Sequence, residues 1–563
     1  MKKKLALGIQ SFVKLRQRNL FYIDKTHFIK DWWESEDEVT LITRPRRFGK
    51  TLMLDTVNTF FSPDFAGQSE LFAGLKVWQD QQFRKLQGTI PVIFISFADV
   101  KGINYIETLE IIKTIIVDIY NTFLPKSNLN DFSETEKEQI AAVRQSMKAV
   151  TAQTALRHLA RYLTRQYKTS PIILLDEYDT PFHAAWAHGY WDELVQFIRV
   201  FFNSTFKTNK WLERALITGI TRISKESIFS DLNNLKVVST TTNKYTDCFG
   251  FTENEVFSAL TEYGLTAKAE VKKWYNGFIF GSQQDIYNPW SILSYLSEKH
   301  FAPFWGQTSS NALVGQLIGQ AAEDIKQETS ALLKGESILT TLDEQIVFSQ
   351  LYTTPGAIWS FLMAAGYVKP LSFDLANNTY EITLTNYEVY RIFENLISCW
   401  FNQNGAYGKQ FRQALMHDNL EDMNIFLQKI ATSSFSFFDT SGAEPERFYH
   451  AFVLGLIVDL KGIYTITSNR ESGYGRYDII MFPLTTQAHA IIIEFKTLRS
   501  NNEKNLTATC NNALRQIHEK GYINSLLDKD VKSNNIYIYG FAFQGKKILI
   551  TGGAYTAIDW DAL

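Results

Sequence analysis

Residues 39–51 restrict the folds open to this chain more than any other stretch of its sequence. A short apolar run, Val39–Thr43, leads into a loop that ends in Gly49-Lys50-Thr51. A strand, a tight loop and a helix in this order direct backbone N–H groups and the positive end of the helix at a phosphate. The loop fits G-x-x-x-x-G-K-[ST], except that Arg44 stands where the first glycine belongs. We therefore predict a phosphate-binding loop, followed by a helix over residues 51–61.

A second motif further along the chain supplies the acidic half of such a site. The apolar run 172–176 ends in Asp176-Glu177. Lys50 would reach the β- and γ-phosphates of ATP, Thr51 and Asp176 would hold Mg²⁺, and Glu177 would act on the attacking water. Alternatively, the first motif is an ordinary turn and the second a helix cap. The order and context of the two motifs favour ATP binding.

A third apolar run, 215–218, ends at Thr218, and Arg222 follows it. Thr218 could sense the γ-phosphate and Arg222 could stabilise its charge, although a structural role suits both residues equally well. The residues expected around the nucleotide are Arg44, Arg46, Arg47, Phe48, Gly49, Lys50, Thr51, Asp176, Thr218 and Arg222.

The spacing of apolar residues divides the chain into three regions. In residues 1–249 the strand-like runs 39–43, 91–96, 172–176 and 215–218 alternate with helical segments, which is typical of a mostly parallel sheet flanked by helices. Residues 250–385 are predicted to form a helical lid or bridging region, with turns near Asn276-Gly277 and Asn288-Pro289 and a pair of strands around Asn377-Asn378. Residues 386–563 are predicted to form a second α/β domain with the order helix, three strands, helix, strand.

Two carboxylates and a lysine mark this second domain. Asp478 precedes Glu494-Phe495-Lys496 by 16 residues. Because residues two apart on a strand face the same side, Glu494 and Lys496 should project together, and two converging carboxylates suit Mg²⁺. Glu446 on the preceding helix and Gln516 on the following helix would complete the catalytic group. The alternative is a Glu–Lys pair on a solvated face.

A predicted hairpin, 468–476, offers Arg470, Tyr474 and Arg476 as contacts for a phosphate backbone; the less favoured alternative is an ordinary solvated hairpin. The net charge of −2 means that any nucleic-acid contact must come from such a local patch. Three separated cysteines argue against a disulfide framework and against a zinc site built from cysteines. No signal peptide or membrane span is apparent, so we expect a cytoplasmic protein without membrane contact.

These motifs resemble a bacterial family of AAA-ATPase-like proteins with a C-terminal PD-(D/E)XK nuclease domain. The resemblance includes Tyr22–Thr26, Arg44–Thr51, Leu175–Asp179, Thr218–Arg222, Trp274–Gly277, Tyr287–Trp290, Phe448–His450 and Ile493–Lys496. It implies an α/β P-loop ATPase domain with a parallel sheet and helical lid, followed by a restriction-endonuclease-like domain. ATP and Mg²⁺ would be the cofactors and DNA the partner, and a homo-oligomer is left open. Either ATP hydrolysis accompanies Mg²⁺-dependent cleavage, or the protein is an ATP-controlled switch whose nuclease fold only binds nucleic acid.

Overall fold

The computed structural model describes residues 2–560 apart from 127–131, 224–228, 230–231, 307–311, 320–322, 334, 344–350, 352–353, 403–404, 435–444, 458–459, 461, 469–470, 473–474, 477, 486–487, 499–504 and 530. The chain divides into two compact units. The first comprises Met1–Ser309 and Leu339–Val389, and the second comprises Ser310–Ile338 and Tyr390–Leu563.

Helices are distributed along both units. In chain order they are α1 (Phe12–Gln17), α2 (His27–Glu34), α3 (Lys50–Phe61), α4 (Gln81–Leu86), α5 (Tyr105–Phe123), α6 (Glu134–Ala141), α7 (Ala149–Tyr167), α8 (Thr180–His188), α9 (Trp191–Phe202), α10 (Glu253–Tyr263), α11 (Lys268–Tyr275), α12 (Pro289–Glu298), α13 (Ala312–Gly319), α14 (Glu323–Leu333), α15 (Pro355–Ala364), α16 (Tyr387–Asn402), α17 (Gly405–Met416), α18 (Leu420–Ser434), α19 (Pro445–Ile457), α20 (Leu506–Glu519) and α21 (Asn524–Leu527). Among the described residues, none of these helices is both long enough and apolar enough to cross a bilayer.

The strands fall into separate sheets. In chain order they are β1 (Val39–Thr43), β2 (Val92–Ser96), β3 (Ile172–Asp176), β4 (Arg214–Gly219), β5 (Leu235–Val238), β6 (Phe251–Thr252), β7 (Phe278–Phe280), β8 (Gln283–Tyr287), β9 (Ile338–Thr340), β10 (Val368–Asp374), β11 (Thr379–Leu384), β12 (Tyr464–Ser468), β13 (Glu471–Ser472), β14 (Gly475–Arg476), β15 (Ile479–Pro483), β16 (Ala490–Thr497), β17 (Ile536–Gln544) and β18 (Lys547–Ala554).

A parallel five-stranded sheet organises the first unit. Its order is β2-β3-β4-β1-β5, and every adjacent pair is parallel. The strands β1, β3 and β4 are buried along their whole length, as expected for a sheet covered by helices on both faces. The carboxyl ends of these three strands therefore lie side by side, and the loops that follow them meet at one edge.

The predicted alternation of strands and helices is confirmed for the first unit, but two features were not predicted from the sequence. The edge strand β5 is short and only partly buried, so its apolar signal is weak. The region expected to be helical also contains the small antiparallel sheet β6-β8-β7. In that region, Asn276 follows α11 and Asn288 caps α12, so the predicted turns at these residues are present.

A mixed five-stranded sheet organises the second unit, in the order β12-β15-β16-β17-β18. The pair β16–β17 is parallel and is joined by the crossover helix α20, whereas the other adjacent pairs are antiparallel. One face packs against α17, α18 and α19, and the other packs against α20 and α21. The predicted order of elements is confirmed here, and β18 extends the sheet by one strand that was not predicted.

The segment Asp24-Lys25-Thr26 anchors the start of α2. The Asp24 carboxylate accepts hydrogen bonds from the Thr26 hydroxyl at 2.6 Å and from the Lys76 backbone N–H at 2.7 Å. Lys25 is nearly buried and donates to the Asp247 carbonyl at 2.6 Å and to the Glu255 carboxylate at 2.7 Å. This part of the family motif therefore has a structural role in the first unit.

Candidate nucleotide and nuclease sites

The phosphate loop, residues 44–49, contains two residues in the left-handed backbone region. Arg47 and Gly49 both have positive φ angles, 67° and 83°, and a Cβ built on Gly49 would meet no atom within 4 Å. Backbone conformation, rather than space, therefore favours glycine at position 49. The helix α3 begins directly afterwards at Lys50, so its positive end faces the loop.

The Lys50 ammonium lies inside this loop. It donates to the carbonyl oxygens of Arg44 at 2.8 Å and Pro45 at 2.9 Å. Burial lowers the pKa of Lys50, while the nearby carboxylates of Glu177 and Asp176 act in the opposite direction. A cation that is held by carbonyls and faces carboxylates is placed to accept an anionic phosphate in exchange.

Asp176, at the end of β3, links the helix α3 to the strand β4 through short hydrogen bonds. One of its carboxylate oxygens accepts from the Thr51 hydroxyl at 2.6 Å, and the other accepts from the Thr218 hydroxyl at 2.6 Å. Thr51 comes from α3, Asp176 from β3 and Thr218 from β4, so residues predicted from three separate motifs meet at one point. A hydroxyl and a carboxylate are the oxygen ligands that Mg²⁺ takes in small number while it keeps several waters, and the donor set therefore fits this ion.

Glu177 follows Asp176 with a left-handed backbone, at φ 51°. A non-glycine residue in this region costs about 1 kcal/mol or more, and such outliers concentrate at functional sites. Its carboxylate accepts from the Thr180 hydroxyl at 3.2 Å. The backbone conformation at Glu177 therefore supports a special role for this side chain.

Tyr178 and Asp179 fix the loop that follows β4, a function that the sequence analysis missed. The Asp179 carboxylate accepts from the backbone N–H groups of Ile220 and Thr221, each at 2.9 Å. The Tyr178 hydroxyl donates to the Thr221 carbonyl at 2.8 Å. A Cβ at Gly219 would lie 2.6 Å from the Tyr178 ring. Two consecutive polar residues after a buried strand were the available signal, because such residues need partners.

Two residues expected at the nucleotide, Arg44 and Phe48, have side chains that lie in the core, so their predicted contact with the nucleotide stays a prediction. The Arg44 side chain is buried and donates to the carbonyls of Thr43 at 2.9 Å and Ser239 at 2.7 Å, and its guanidinium lies 4.5 Å from the Phe280 ring centroid. Its backbone N–H donates to the Gly219 carbonyl. Phe48 is buried against Phe278 and Phe280. Both side chains therefore make packing contacts within the first unit.

The other arginines differ in their surroundings. Arg46 is exposed, and burial lowers the pKa of Lys50 with a smaller contribution from the charge of Arg46. The Arg47 guanidinium stacks on Trp290 at 4.4 Å from the ring centroid. Arg222 is partly buried beyond β4. Arg46 and Arg47 are thus both exposed residues of the loop.

The nuclease group comprises Asp478, Glu494, Lys496 and Gln516. The alternation of side chains on β16 determines which face of the sheet carries it. Ile491, Ile493 and Phe495 pack with the cluster that contains α19, whereas Ala490 and Ile492 pack with α20. With a period of two, Glu494 and Lys496 face the α20 side. Asp478 directly precedes β15, and the pairing of Ile479 with Ile493 brings it beside Glu494.

These side chains contact one another. Gln516 on α20 donates to one Glu494 carboxylate oxygen, and the Asp478 backbone N–H donates to the other at 3.4 Å. The Asp478 carboxylate accepts from the Phe495 backbone N–H at 2.9 Å. The Lys496 ammonium lies 3.9 Å from the Glu494 carboxylate, which is almost fully buried. Four residues predicted from sequence thus meet on one face, and the two carboxylates offer the hard oxygen ligands that suit Mg²⁺.

Two further residues support this group and were not predicted. The His450 Nε2 atom on α19 lies 3.1 Å from the Asp478 carbonyl oxygen. The Tyr522 hydroxyl is 3.1 Å from the Gln516 amide nitrogen, and burial raises its pKa. Tyr522 therefore orients the amide that holds Glu494. His450 ends the segment Phe448–His450 that carries part of the resemblance, which was the available signal, whereas the role of Tyr522 depends only on packing between distant segments.

Several predicted residues fall outside the described part of the chain. Glu446 belongs to α19, four residues before His450, but its side chain is not among those described. Arg470 and Tyr474 are likewise outside the described residues. Arg476 contributes backbone to β14, without a described side chain. Their predicted roles, catalysis for Glu446 and nucleic-acid contact for the other three, stay predictions.

Comparison with known proteins finds family matches over the two regions that contain these residues. Residues 6–229 match the family described as "Predicted AAA-ATPase", and residues 444–552 match the PD-(D/E)XK nuclease superfamily. A protein from Azotobacter chroococcum mcd 1, named "Uncharacterized protein in vnfD 5'region", is 28% identical over 375 residues, which cover 63% of this chain and 65% of that protein. The chain thus spans less than two thirds of this relative's length. Domains of the two matched kinds generally use ATP and divalent metals.

The parallel sheet with its phosphate loop lies in the first matched range, and the mixed sheet with its paired carboxylates lies in the second. The chain therefore carries an AAA-ATPase-like region over residues 6–229 and a region of the PD-(D/E)XK nuclease superfamily over residues 444–552.

Proposed function

We propose that this protein binds and hydrolyses ATP in its first unit and cleaves nucleic acid, with DNA as the substrate, in its second. The observation that carries the nuclease half is the meeting of Asp478, Glu494, Lys496 and Gln516 on one face of the mixed sheet. The chain of hydrogen bonds from Thr51 through Asp176 to Thr218 supports the ATPase half.

In the ATPase site, Lys50 would leave its two carbonyl partners and contact the β- and γ-phosphates. Thr51 and Asp176 would hold Mg²⁺, which neutralises charge on the phosphates when bound. The Glu177 carboxylate would accept a hydrogen bond from the attacking water and orient it. Thr218 and Arg222 come from the strand and loop next to Asp176, and we propose that they contact the γ-phosphate.

In the nuclease site, Asp478 and Glu494 would hold Mg²⁺, which activates water and offsets charge on the phosphate when bound. Lys496 would orient the water and stabilise the negative charge that develops on the scissile phosphate. Gln516 keeps Glu494 in place through its amide. Glu446, Arg470, Tyr474 and Arg476 are proposed contacts on the basis of sequence alone.

Foreign or mobile DNA is the biological target that we propose, by analogy with the family and not from the geometry of either site. One observation favours a second function, an ATP-controlled switch whose nuclease fold binds nucleic acid without cutting it. The carboxylates of Glu494 and Asp478 already accept hydrogen bonds from Gln516 and from backbone N–H groups, and these hydrogen bonds compete with metal binding. Cleavage assays separate the two functions.

The nuclease test incubates the full chain with single- and double-stranded DNA and RNA, with and without Mg²⁺. Asp478→Asn and Glu494→Gln should lose cleavage and Mg²⁺ binding together, because each replaces a negatively charged carboxylate ligand with a neutral amide. Lys496→Ala should lose cleavage by on the order of a hundredfold or more and keep the metal, as measured by calorimetry. Glu519→Gln, an exposed change on α20, is the control. Binding without cleavage by the wild-type protein would establish the switch instead.

The ATPase test compares Lys50→Ala with Lys85→Ala, an exposed lysine on α4. Loss of a charged hydrogen bond of about 1.5–3 kcal/mol should weaken ATP binding by roughly ten- to a hundredfold. Glu177→Gln should bind ATP normally and stop hydrolysis, because it keeps the shape of the side chain and removes the carboxylate. Unchanged ATP affinity of Lys50→Ala in calorimetry would contradict the assignment.

A further inference from the structure

Three side chains of different metal-binding chemistry meet in the first unit, on elements that neither proposed activity uses. His27 and Asp31 are one turn apart on α2, so they share a face of that helix. Cys248 comes from the segment between β5 and β6. One imidazole nitrogen, one carboxylate oxygen and the thiol sulfur lie within 4.8 Å of one another.

The distances between the side-chain donor atoms of this cluster resemble those between the ligand atoms of a single zinc ion. The Cys248 sulfur is 3.4 Å from the His27 Nε2 atom, and that nitrogen is 3.3 Å from a carboxylate oxygen of Asp247. In a tetrahedral zinc site with Zn–S near 2.3 Å and Zn–N near 2.0 Å, neighbouring ligand atoms stand roughly 3.5 Å apart. Little movement would therefore be needed for an ion to replace the hydrogen bonds at this point.

The charges around the cluster set the conditions for binding. Burial raises the pKa of the Cys248 thiol, and the Asp247 and Asp31 charges act in the same direction. Burial likewise raises the pKa of Asp31. A cation bound among these groups would relieve their mutual repulsion and stabilise the thiolate, as metals do for coordinated thiols.

Two lysines face the cluster. Lys25 donates to the Asp247 carbonyl, and its charge lowers the pKa of Asp247, after the larger effect of His27. The exposed Lys76 ammonium lies 3.5 Å from the His27 Nδ1 atom. Donation from Lys76 to Nδ1 favours the tautomer with its proton on Nε2, so metal binding at Nε2 would require Lys76 to turn away.

We propose that His27, Asp31 and Cys248 bind one Zn²⁺ ion, with the Asp247 carboxylate beside the fourth position. A thiolate together with an imidazole selects zinc over the hard ion Mg²⁺, which prefers oxygen ligands. The proposal does not depend on either activity of the preceding section, because none of these residues belongs to the phosphate or nuclease group.

A zinc ion at this site would stabilise the segment that packs against the phosphate loop. Gly250, two residues after Cys248, donates its N–H to the Phe48 carbonyl at 3.3 Å. The Phe249 ring lies 5.8 Å from the Arg44 guanidinium. The ion would tie α2 to the segment that packs against both residues of the loop.

The test adds Co²⁺ to the full chain after treatment with a chelator. Cobalt bound to a thiolate absorbs in the near ultraviolet, whereas cobalt bound to oxygen ligands alone, as in the two proposed Mg²⁺ sites, lacks this band. We expect about one equivalent of the thiolate band, displaced by Zn²⁺ and absent in Cys248→Ser. The double variant Cys399→Ser/Cys510→Ser should keep the band, because it removes the other two cysteines.

Substitutions at the exposed residues Asp31 and Lys76 test the site without disturbing the packing of the core. Asp31→Asn should weaken Zn²⁺ binding by roughly tenfold or more, and Lys76→Met should strengthen it, because the competing ammonium is removed. Circular dichroism checks that each variant is folded. A folded wild-type protein without the thiolate band, or a band that persists in Cys248→Ser, would overturn the proposal. If Cys248→Ser does not fold, unchanged Zn²⁺ affinity in both Asp31→Asn and Lys76→Met would overturn it as well.

Discussion

Two arginines of the phosphate loop, two positions apart, lie in opposite environments. Arg44 is fully buried, and burial lowers its pKa to about 10, so its guanidinium stays charged at neutral pH inside the core. Backbone carbonyls and the Phe280 ring take up that charge. Arg46 is exposed, and its charge contributes to the lowered pKa of Lys50 after the larger effect of burial. The same substitution should therefore lower the stability of the first unit at position 44 and weaken nucleotide binding at position 46.

Arg44→Met should destabilise the first unit by roughly 3 kcal/mol or more, because it strips several buried carbonyls of a charged donor. Arg46→Met should leave the thermal midpoint unchanged and weaken ATP binding, because it removes only a positive charge near the phosphates. Differential scanning fluorimetry and calorimetry measure the two effects. An Arg44→Met protein of wild-type stability with weakened ATP binding would support Arg44 as a phosphate contact.

At the scale of the element, the start of α16 carries a buried acid. Glu388 accepts hydrogen bonds from the Ser291 hydroxyl and the Trp305 backbone N–H, each at 2.8 Å. Burial raises its pKa from 4.5 to about 7, although these two hydrogen bonds act in the opposite direction. Between those two pH values the folded chain keeps a proton that the unfolded chain has lost, so stability falls as pH rises through this interval.

Glu388→Gln should remove that pH dependence. Each pKa unit corresponds to about 1.4 kcal/mol, so the variant should gain up to roughly 3 kcal/mol over wild type at pH 8 and little at pH 4.5. Thermal midpoints of both proteins between pH 4.5 and 8 test this. Parallel curves for the two proteins would mean that Glu388 ionises in the folded state as readily as in the unfolded chain.

Elements with a strong local pattern were predictable from the sequence, and those that depend on distant partners were not. The strands β1 and β3 have the predicted bounds because each is a buried apolar run with clear turn signals. The strands β7 and β8 form a short hairpin with polar residues such as Gln283 and Asp285, so they show little apolar periodicity. In the sites, motif residues such as Asp176 and Glu494 were found, whereas Tyr522 acts through a contact with Gln516 that no local pattern encodes.

At the scale of the whole molecule, the two compact units differ from the three regions expected from sequence. The division at residues 249 and 385 was drawn from periodicity, but residues 310–338 cluster with the second unit and 250–309 cluster with the first. Position along the sequence does not predict which unit a segment belongs to. The chain leaves the first unit after Ser309, contributes residues 310–338 to the second unit, returns to the first unit at Leu339 and enters the second unit again at Tyr390.

If ATP controls the second unit, a change in the first should alter cleavage. Glu177→Gln, which should hold ATP without hydrolysing it, is expected to change the DNA cleavage rate by about fivefold or more in the presence of ATP, a typical size for coupling between sites. Glu193→Gln, at an exposed acid on α9, is the control. Equal rates for all three proteins, with and without ATP, would leave two independent activities in one chain.

The ammonium of Lys50, held by the Arg44 and Pro45 carbonyls, makes nucleotide binding an exchange of partners. The new hydrogen bonds from Lys50 to phosphate are offset by the two carbonyl hydrogen bonds that it gives up, so the net enthalpy of binding should be smaller than the new bonds suggest. The entropy cost should also be small, because these internal hydrogen bonds order the loop before the nucleotide arrives. The loop should therefore keep its shape from one turnover to the next, and product release should not require the site to be rebuilt.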